Sequence, residues 1–213
     1  MTATRISPCS AKASAGATAK PADEGQPTGS LAVWVRQPWL VRVGRENVLM
    51  RGTSPRDLAA VAAMHGRCSA RSLLERYRAG GRAPSPVAIE RALRQTLSFV
   101  ACTARGEIVA IAAAGPDRMH GDGTAEIGVL VEDGWQRRGL ARELLTHLSG
   151  ATYVCGYTQL ISYTGTNITA PHRLLVDVGR TYSVPDPTDP HLHTYLTESV
   201  TLGLGPVREH LAS

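Results

Sequence analysis

A short run in the middle of the chain has the residue types of an anion-binding turn. An apolar segment ends at Val131, a turn follows, and the run Gln136-Arg137-Arg138-Gly139-Leu140-Ala141 opens a helical pattern. The first backbone N–H groups of a helix have no intrahelical partner, and the helix dipole adds partial positive charge at that end. Gly139 leaves the backbone accessible to an anion, while Arg137 and Arg138 add full charges nearby. The run therefore predicts a site for a ligand that carries a diphosphate.

Glu126 is a candidate general base in the segment before this turn. A carboxylate in an apolar strand is costly unless it is solvated or partnered. Glu126 therefore either serves a function or is a strand-end carboxylate that faces solvent or pairs with an arginine. It lies three residues, roughly 10 Å, before Val129, so a base there would act through water. Alternation places Gly128 on the same face, where the missing side chain leaves room beside an extended ligand.

The elements that must position these residues can be read from periodicity. Alternation and apolar content predict a strand over 124–131, and the segment after the turn has the spacing of a helix packed on a sheet. Strand, Gly-containing turn and helix in this order are the context that an anion-binding turn requires. The alternative is an ordinary strand–helix unit with a basic turn. The apolar stripe of the helix consists of Leu140, Leu144, Leu145 and Leu148.

The run Gln136–Ala141 matches the Q/R-x-x-G-x-G/A signature of the GNAT acetyltransferase superfamily, and Ala125–Val131 is similar to that family's central strand. The resemblance implies acetyl-CoA as co-substrate, with its pyrophosphate on the turn and its pantetheine arm on strand amides, one of which polarises the thioester oxygen. Asn167 corresponds to a family Asn that contacts CoA, although it could equally cap its own helix. The implied cofactor-binding residues are Val129, Leu130, Val131, Gln136, Arg137, Arg138, Gly139, Leu140, Ala141 and Asn167.

Two further segments resemble bacterial protein lysine acetyltransferases within this superfamily. Ala125-Glu126 corresponds to a pair that supplies their catalytic glutamate, which implies Glu126 as the catalytic residue. Arg67–Tyr77 resembles their R-x-S-x-x-S-x-x-x-R-F/Y segment between two helices that border the acceptor cleft. The tyrosine that many members use as general acid has no counterpart. His172 lies in that neighbourhood, and protonation of the leaving thiolate by solvent stays open.

The whole pattern predicts an α/β (α+β) fold with a mixed, mostly antiparallel central sheet and helices on both faces, in agreement with the GNAT fold. Caps and apolar spacing predict helices that begin at Thr53-Ser54-Pro55, Arg71, Ser85-Pro86, Leu140 and Ile168. The predicted strands are 31–36, 47–51, 97–102, 107–113, 124–131, 157–163 and 194–202, and a proline-rich loop is predicted over 184–190.

Length and composition favour one domain. The chain has 213 residues, 43% of them hydrophobic, which is enough for a sizeable core. We expect a disordered tail over 1–30, an acetyltransferase domain over 31–205 and a C-terminal tail over 206–213. The first 30 residues lack the continuous apolar segment of a secretory signal, and no apolar run approaches the roughly 20 residues of a membrane span.

Cysteine, histidine and charge patterns disfavour other classes of site. Four dispersed cysteines without a C-x-x-C pair argue against structural zinc and a disulfide framework, so a reducing cytoplasm is the default. His191 and His193 lie near Asp186 and Asp189 but lack a third spaced ligand, so no metal is predicted. The net charge of +5 is spread along the chain rather than concentrated in a basic block, which favours an anionic cofactor over nucleic acid.

The sequence thus predicts an acetyl-CoA-dependent N-acetyltransferase, monomeric or homodimeric, that acetylates a primary amine by direct transfer with Glu126 as base. The acceptor, a protein lysine or a small amine, stays open because variable loops line such clefts. The alternative is an inactive GNAT-like module that binds CoA as a sensor or scaffold, which the missing tyrosine and an early Pro171 in a predicted helix favour. The third hypothesis is a nucleic-acid-binding protein, which would not respond to CoA.

Overall fold

The computed structural model describes residues 37–77, 81–117, 119–165, 170–185 and 192–198. The predicted tails at 1–30 and 206–213 and the strand predicted over 31–36 lie outside these residues. Asn167 and the segment 186–191 also lie outside them.

A single mixed sheet organises the described part of the chain. Its strands are β1 (Trp39–Val43), β2 (Glu46–Gly52), β3 (Leu97–Cys102), β4 (Ile108–Pro116), β5 (Thr124–Val131), β6 (Gln159–Gly165), β7 (Arg180–Pro185) and β8 (Leu192–Glu198). They lie in the order β1-β2-β3-β4-β5-β6-β8-β7. Every neighbouring pair is antiparallel except β5 and β6, which are parallel. The predicted mixed, mostly antiparallel sheet is confirmed.

Five α-helices pack on this sheet within the described ranges: α1 (Leu58–Arg67), α2 (Ala70–Tyr77), α3 (Pro86–Gln95), α4 (Leu140–Val154) and α5 (Ala170–Val176). The predicted hydroxyl caps are present, because Ser54 accepts a hydrogen bond from the Arg56 N–H and Ser85 accepts one from the Ala88 N–H. Ser54 opens a 3₁₀ turn that leads into α1. Pro171 lies in the first turn of α5, where a helix tolerates proline.

The helices bury apolar side chains on both faces of the sheet. On one face α4 packs across β3, β4 and β5, and its predicted stripe is buried, with Leu144 and Leu148 fully inaccessible. On the other face Val61 of α1 and Ile89 of α3 join Leu130 of β5 in a second core. Each such side chain contributes about 1.5–3 kcal/mol on burial. These two cores hold β5 between them.

β5 separates from β6 soon after the two strands begin to pair. Their parallel register extends only from Thr124↔Gln159 to Glu126↔Ile161. β5 remains paired with β4 as far as Val131. From Ile127 onward, one edge of β5 therefore faces a cleft instead of a neighbouring strand.

Two strands, β1 and β7, have no counterpart in the prediction. β1 is held by tertiary contacts, because the Trp39 ring stacks on buried His147 of α4 with centroids 3.7 Å apart. β7 runs into the segment predicted as a loop from Val184, because it pairs along its length with β8. In both cases contacts with another element override the local sequence pattern.

Two further observations concern the expected cysteine environment and membrane segments. Cys102 is buried in β3, and burial raises the pKa of its thiol. Burial likewise raises the pKa of Cys68 to about 11. No helix in the described ranges has the length and apolarity needed to cross a membrane.

Candidate active site

The opening beside β5 is a cleft of about 740 Å³. Its walls come from α2, β5, the turn after β5, the start of α4, and β6 with α5. The open strand edge, the start of α4 and Glu126 all border this one space. Among the described residues, all sequence-predicted site residues except Arg138 line it: Glu126, Val129, Leu130, Val131, Gln136, Arg137, Gly139, Leu140 and Ala141.

The open edge of β5 presents unpaired backbone groups to the cleft. In an antiparallel ladder, backbone groups of alternate residues point to opposite edges. The Glu132 N–H bonds to the Val109 carbonyl of β4, which fixes this alternation. The N–H and C=O groups of Val129 and Val131 consequently point away from β4, toward the cleft. Leu130 differs from the prediction, because its backbone groups belong to the ladder with β4.

The turn after β5 adopts the conformation that its glycine requires. Gly139 has φ of +90° and immediately precedes α4, which begins without a side-chain cap. A Cβ at Gly139 would meet no atom within 4 Å, so the space in front of the helix N-terminus is open. Leu140 is buried in the core and anchors the start of α4. Exposed, uncapped N–H groups at a helix start suit a phosphate group.

Gln136 has a positioning role that the sequence does not reveal. Its Nε2 donates to the Val131 carbonyl at 3.0 Å and to the Ser72 hydroxyl at 2.9 Å. The Gln136 side chain thereby ties the turn to the end of β5 and to α2. The Val131 carbonyl is occupied by this bond, so its N–H is the group that stays available at that residue.

The arginines around the turn occupy different environments. Arg137 is exposed, lines the cleft and has a left-handed φ of +59°, which is uncommon for a residue with a side chain. Arg138 instead stacks over the Trp135 ring, 5.1 Å from its centroid. Arg142 also lines the cleft, and its guanidinium pairs with Asp177 at 2.7 Å.

Glu126 borders the cleft on the face of the sheet that α2 covers. Its side chain is exposed, and no ion pair to it is present in the described part of the chain. Tyr163 of β6 also lines the cleft. Its hydroxyl donates to Asp117 at 3.0 Å and lies 3.2 Å from Nδ1 of His120. Burial alone would raise the pKa of Asp117, but hydrogen bonds from His120, Tyr163 and a backbone N–H hold it below its usual value.

The segment Arg67–Tyr77 fastens α2 along β5 and the turn. Arg67 pairs with Glu132 at 2.9 Å, directly after β5. Asp133 accepts hydrogen bonds from the Ser69 N–H at 2.8 Å, the Ser69 hydroxyl at 2.7 Å and the Ser72 hydroxyl at 3.0 Å. The bonds from Ser69 hold the pKa of Asp133 below its usual value. The spaced Arg and Ser residues of this segment therefore position the wall of the cleft.

The space beside Gly128 is filled by Arg76, so the prediction that Gly128 leaves room for an extended ligand is wrong. A Cβ at Gly128 would come within 2.6 Å of Nε and Nη2 of Arg76. The space that was expected to accommodate an extended ligand is thus occupied by the Arg76 guanidinium. Arg76 and Tyr163 are two of the cleft residues that the sequence analysis did not assign to the site. Arg76 belongs to the Arg67–Tyr77 motif, which was the available signal, whereas Tyr163 is a strand residue without a local signal.

The remaining sequence candidates are Asn167, His172, His191, Asp186 and Asp189. Asn167, His191, Asp186 and Asp189 lie outside the described residues. His172 packs against the Tyr195 ring with centroids 5.2 Å apart and is not among the described residues that line the cleft.

Residues 69–165 match the acetyltransferase (GNAT) family. No curated protein sequence matches the chain. Among solved structures, the GNAT domain of S. lividans PAT superposes with a TM-score of 0.65 and 17% identity, covering 76% of this chain and 96% of that one. A putative acetyltransferase from Salmonella typhimurium, solved with its cofactor acetyl-CoA, superposes with a TM-score of 0.56 and 20% identity, covering 73% of this chain and 96% of that one. For a cAMP-binding acyltransferase from Mycobacterium smegmatis, the TM-score is 0.55 and the identity 18%, covering 85% of this chain and 53% of that one.

The structural matches establish the fold, and the family match identifies the central part of the chain. That match begins just before α2 and ends with β6, so it includes β5, the turn and α4. Acetyl-CoA is the co-substrate of GNAT acetyltransferases. Residues 69–165 therefore match the GNAT acetyltransferase family over the segment in which the sequence resembles it.

Proposed function

We propose that this protein is an acetyl-CoA-dependent N-acetyltransferase that acetylates a primary amine, on a protein lysine or a small molecule, with Glu126 as general base. One observation carries the proposal: a single cleft is bordered by the open edge of β5, the uncapped start of α4 and the Glu126 carboxylate. These are the parts that acetyl transfer from a thioester to an amine requires.

The cofactor in this proposal lies along the open edge of β5. Its diphosphate binds the backbone N–H groups around Gly139, with Arg137 adding charge. The pantetheine arm pairs with the outward-pointing backbone of Val129 and Val131. Asn167 remains a proposed side-chain contact to CoA. This arrangement brings the thioester close to the Val129 N–H, which polarises the carbonyl oxygen.

The chemical step follows from the same placement. Glu126 takes one proton from the acceptor ammonium through water and releases it to solvent. The neutral amine nitrogen bonds to the acetyl carbonyl carbon, and the C–S bond of the thioester breaks. The second amine proton ends on the CoA sulfur by way of solvent. The products are the N-acetyl amine and CoA, with one proton released.

A thiol-release assay with acetyl-CoA over a panel of amines and protein acceptors tests this function. We expect release of CoA that depends on both acceptor and enzyme. A thermal shift with acetyl-CoA, measured in parallel, reports cofactor binding alone. A shift without turnover on any acceptor would favour the sensor or scaffold, and indifference to acetyl-CoA would contradict both functions.

A further inference from the structure

Arg76 brings a positive charge to the acceptor end of the cleft. Its side chain is half-buried, lines the cleft and lies against Gly128, where its guanidinium occupies the space of a missing side chain. Gly128 immediately precedes Val129, whose N–H is the proposed contact of the thioester oxygen. Arg76 is thus close to the place where the new amide bond would form.

The charge of Arg76 has no carboxylate partner in the described part of the chain. No Asp or Glu oxygen there lies within 4.0 Å of its guanidinium, which instead contacts the Tyr77 ring at 4.9 Å. Withdrawing an unpaired cation from water is costly, and a bound anion offsets that cost. Other arginines pair with carboxylates in the pairs Arg51–Asp57, Arg67–Glu132, Arg71–Glu75, Arg94–Glu90 and Arg142–Asp177.

The positive charge of Arg76 affects the pKa of a buried neighbour, His65. Burial is the main cause that lowers the pKa of His65, and the Arg76 charge lowers it further. His65 is held between the Val61 carbonyl at 2.7 Å and the Tyr77 hydroxyl at 2.6 Å. These contacts fix the end of α2 and therefore the place from which Arg76 extends.

Arg76 and Glu126 form a pair of opposite charges that do not touch. Glu126 and Gly128 point to the same face of β5, about 6.7 Å apart along the strand. The guanidinium that covers Gly128 is not within ion-pair distance of Glu126. An unpaired carboxylate and an unpaired guanidinium on the same face of one cleft complement the two charges of a small zwitterion.

An α-amino acid carries both charges on a small frame, because its amine nitrogen lies about 2.5 Å from its carboxyl carbon. Its carboxylate can accept hydrogen bonds of about 2.9 Å from Arg76, while a water bridges its amine to Glu126. Such a molecule can place its amine toward Glu126 and its carboxylate on Arg76, with the amine beside the thioester.

We propose that the acceptor is an α-amino acid or a close analogue, whose carboxylate binds Arg76 while its amine is deprotonated through Glu126. This inference rests on the proposed acetyltransferase function and narrows its acceptor. The carboxylate belongs to the acceptor rather than to the acyl group, because Arg76 and Glu126 share the face covered by α2. The donor, by contrast, lies along the edge of β5. The bond-forming and bond-breaking steps are those given for the proposed function.

Matched pairs of acceptors test the inference on the intact protein. CoA release from acetyl-CoA is measured with glycine, L-alanine, L-leucine and L-glutamate and with the corresponding α-carboxamides. Rates are compared per concentration of free amine, because removing the carboxylate lowers the pKa of the amine. We expect kcat/KM to be about ten- to a hundredfold higher for the acids, the range for hydrogen bonds to a charged group.

Variants locate the effect at Arg76. Arg76→Gln should abolish the preference for acids by raising their KM, and Arg76→Lys should retain part of it. Arg94→Gln, which removes an exposed helix arginine outside the cleft, should keep the full preference. If Arg76→Gln fails to fold, the comparison of acids with amides in the unaltered protein still tests whether the acceptor carboxylate is recognised.

Four results would overturn the inference. They are equal rates with acids and amides, a preference that survives in Arg76→Gln, turnover only with an internal lysine of an N-terminally blocked peptide, and turnover that requires succinyl-CoA in place of acetyl-CoA. The lysine result would leave the proposed acetyltransferase function intact. Absence of CoA release with every amine, together with no thermal shift by acetyl-CoA, would instead contradict the function itself.

Discussion

At the scale of single residues, Glu126 carries the proposed chemistry and Gly139 carries cofactor binding. The two roles have different structural requirements. Glu126 must be a base within reach of the acceptor, whereas Gly139 must adopt a backbone conformation that leaves N–H groups exposed. Variants at these two positions should therefore separate turnover from binding.

Glu126→Gln keeps the shape of the side chain but removes the base. We expect kcat near neutral pH to fall by about a hundredfold or more, within the range for a lost general base. The Kd for acetyl-CoA should barely change, because the proposed cofactor contacts lie on β5 and the turn. Raising the pH should partly rescue turnover, since free amine then arrives without enzymatic deprotonation. A pH–rate profile with one identified acceptor checks this.

Glu75→Gln is the matched control for Glu126→Gln. Glu75 also lines the cleft, but its carboxylate is paired with Arg71 at 2.9 Å. We expect it to change kcat far less than Glu126→Gln does. Undiminished turnover of Glu126→Gln at pH 7 would mean that Glu126 is a solvent-facing carboxylate at the end of a strand and is not the base.

Gly139→Glu should abolish stabilisation by acetyl-CoA, since it places a carboxylate where the diphosphate approaches the helix start. Gly139→Ala is the control, because both variants share the strain of a side chain at φ of +90°. That strain costs about 1–2 kcal/mol. We expect similar losses in Tm without ligand, with a remaining acetyl-CoA shift in Gly139→Ala only. An unchanged shift in folded Gly139→Glu would refute the diphosphate site.

At the scale of elements, α2 and the turn after β5 form one unit through Asp133. Three hydrogen bonds from Ser69 and Ser72 end on this carboxylate, and Gln136 extends the connection from Ser72 to the end of β5. Loosening this unit should therefore affect both stability and cofactor affinity.

Asp133→Asn weakens these hydrogen bonds. We expect the free energy of unfolding at pH 7 to fall by about 1 kcal/mol, since the site is exposed, together with weaker binding of acetyl-CoA. The folded-state pKa of Asp133 lies below its unfolded value of about 3.9. Its contribution is therefore present above that value and is lost as pH falls through the folded pKa. The difference between wild type and variant should shrink below about pH 4.

Denaturant unfolding from neutral to acid pH measures this difference. Asp122→Asn, at an exposed position in the β4–β5 loop, is the control and should leave stability nearly unchanged. A stability gap between wild type and Asp133→Asn that stays constant down to pH 3 would contradict the assigned role of the carboxylate.

The elements also show which parts of the fold a sequence can predict. β5, the turn and α4 are adjacent in the chain, and alternation, a glycine and an apolar stripe each point to one structure. β7 pairs along its length with β8, which the loop pattern predicted from Val184 onward does not indicate. Arg76 reaches Gly128 across the sheet–helix boundary, and Tyr163 reaches Asp117 across strands. Their placement depends on contacts between distant segments, which periodicity does not encode.

At the scale of the whole molecule, net charge acts on the approach of an anionic cofactor. The chain carries a formal charge of +5. Arg137 lines the cleft, whereas Arg138, which does not line it, stacks on the Trp135 ring. Both contribute to the long-range field, but Arg137 is better placed to act on a bound diphosphate.

Removing the charges of Arg137 and Arg138 should weaken acetyl-CoA binding more at low salt than at high salt, because salt already screens exposed charges. We expect a larger loss for Arg137→Ala than for Arg138→Ala in about 20 mM salt, and a smaller gap between them in about 500 mM salt. Titration calorimetry at both salt concentrations measures the effect.

Arg137→Gly separates the effect of charge from that of backbone strain, because glycine relieves the left-handed φ of +59°. It should raise Tm without ligand while losing as much low-salt affinity as Arg137→Ala. Equal losses of affinity at both salt concentrations would mean that Arg137 orients the diphosphate by direct contact instead of attracting it through its field.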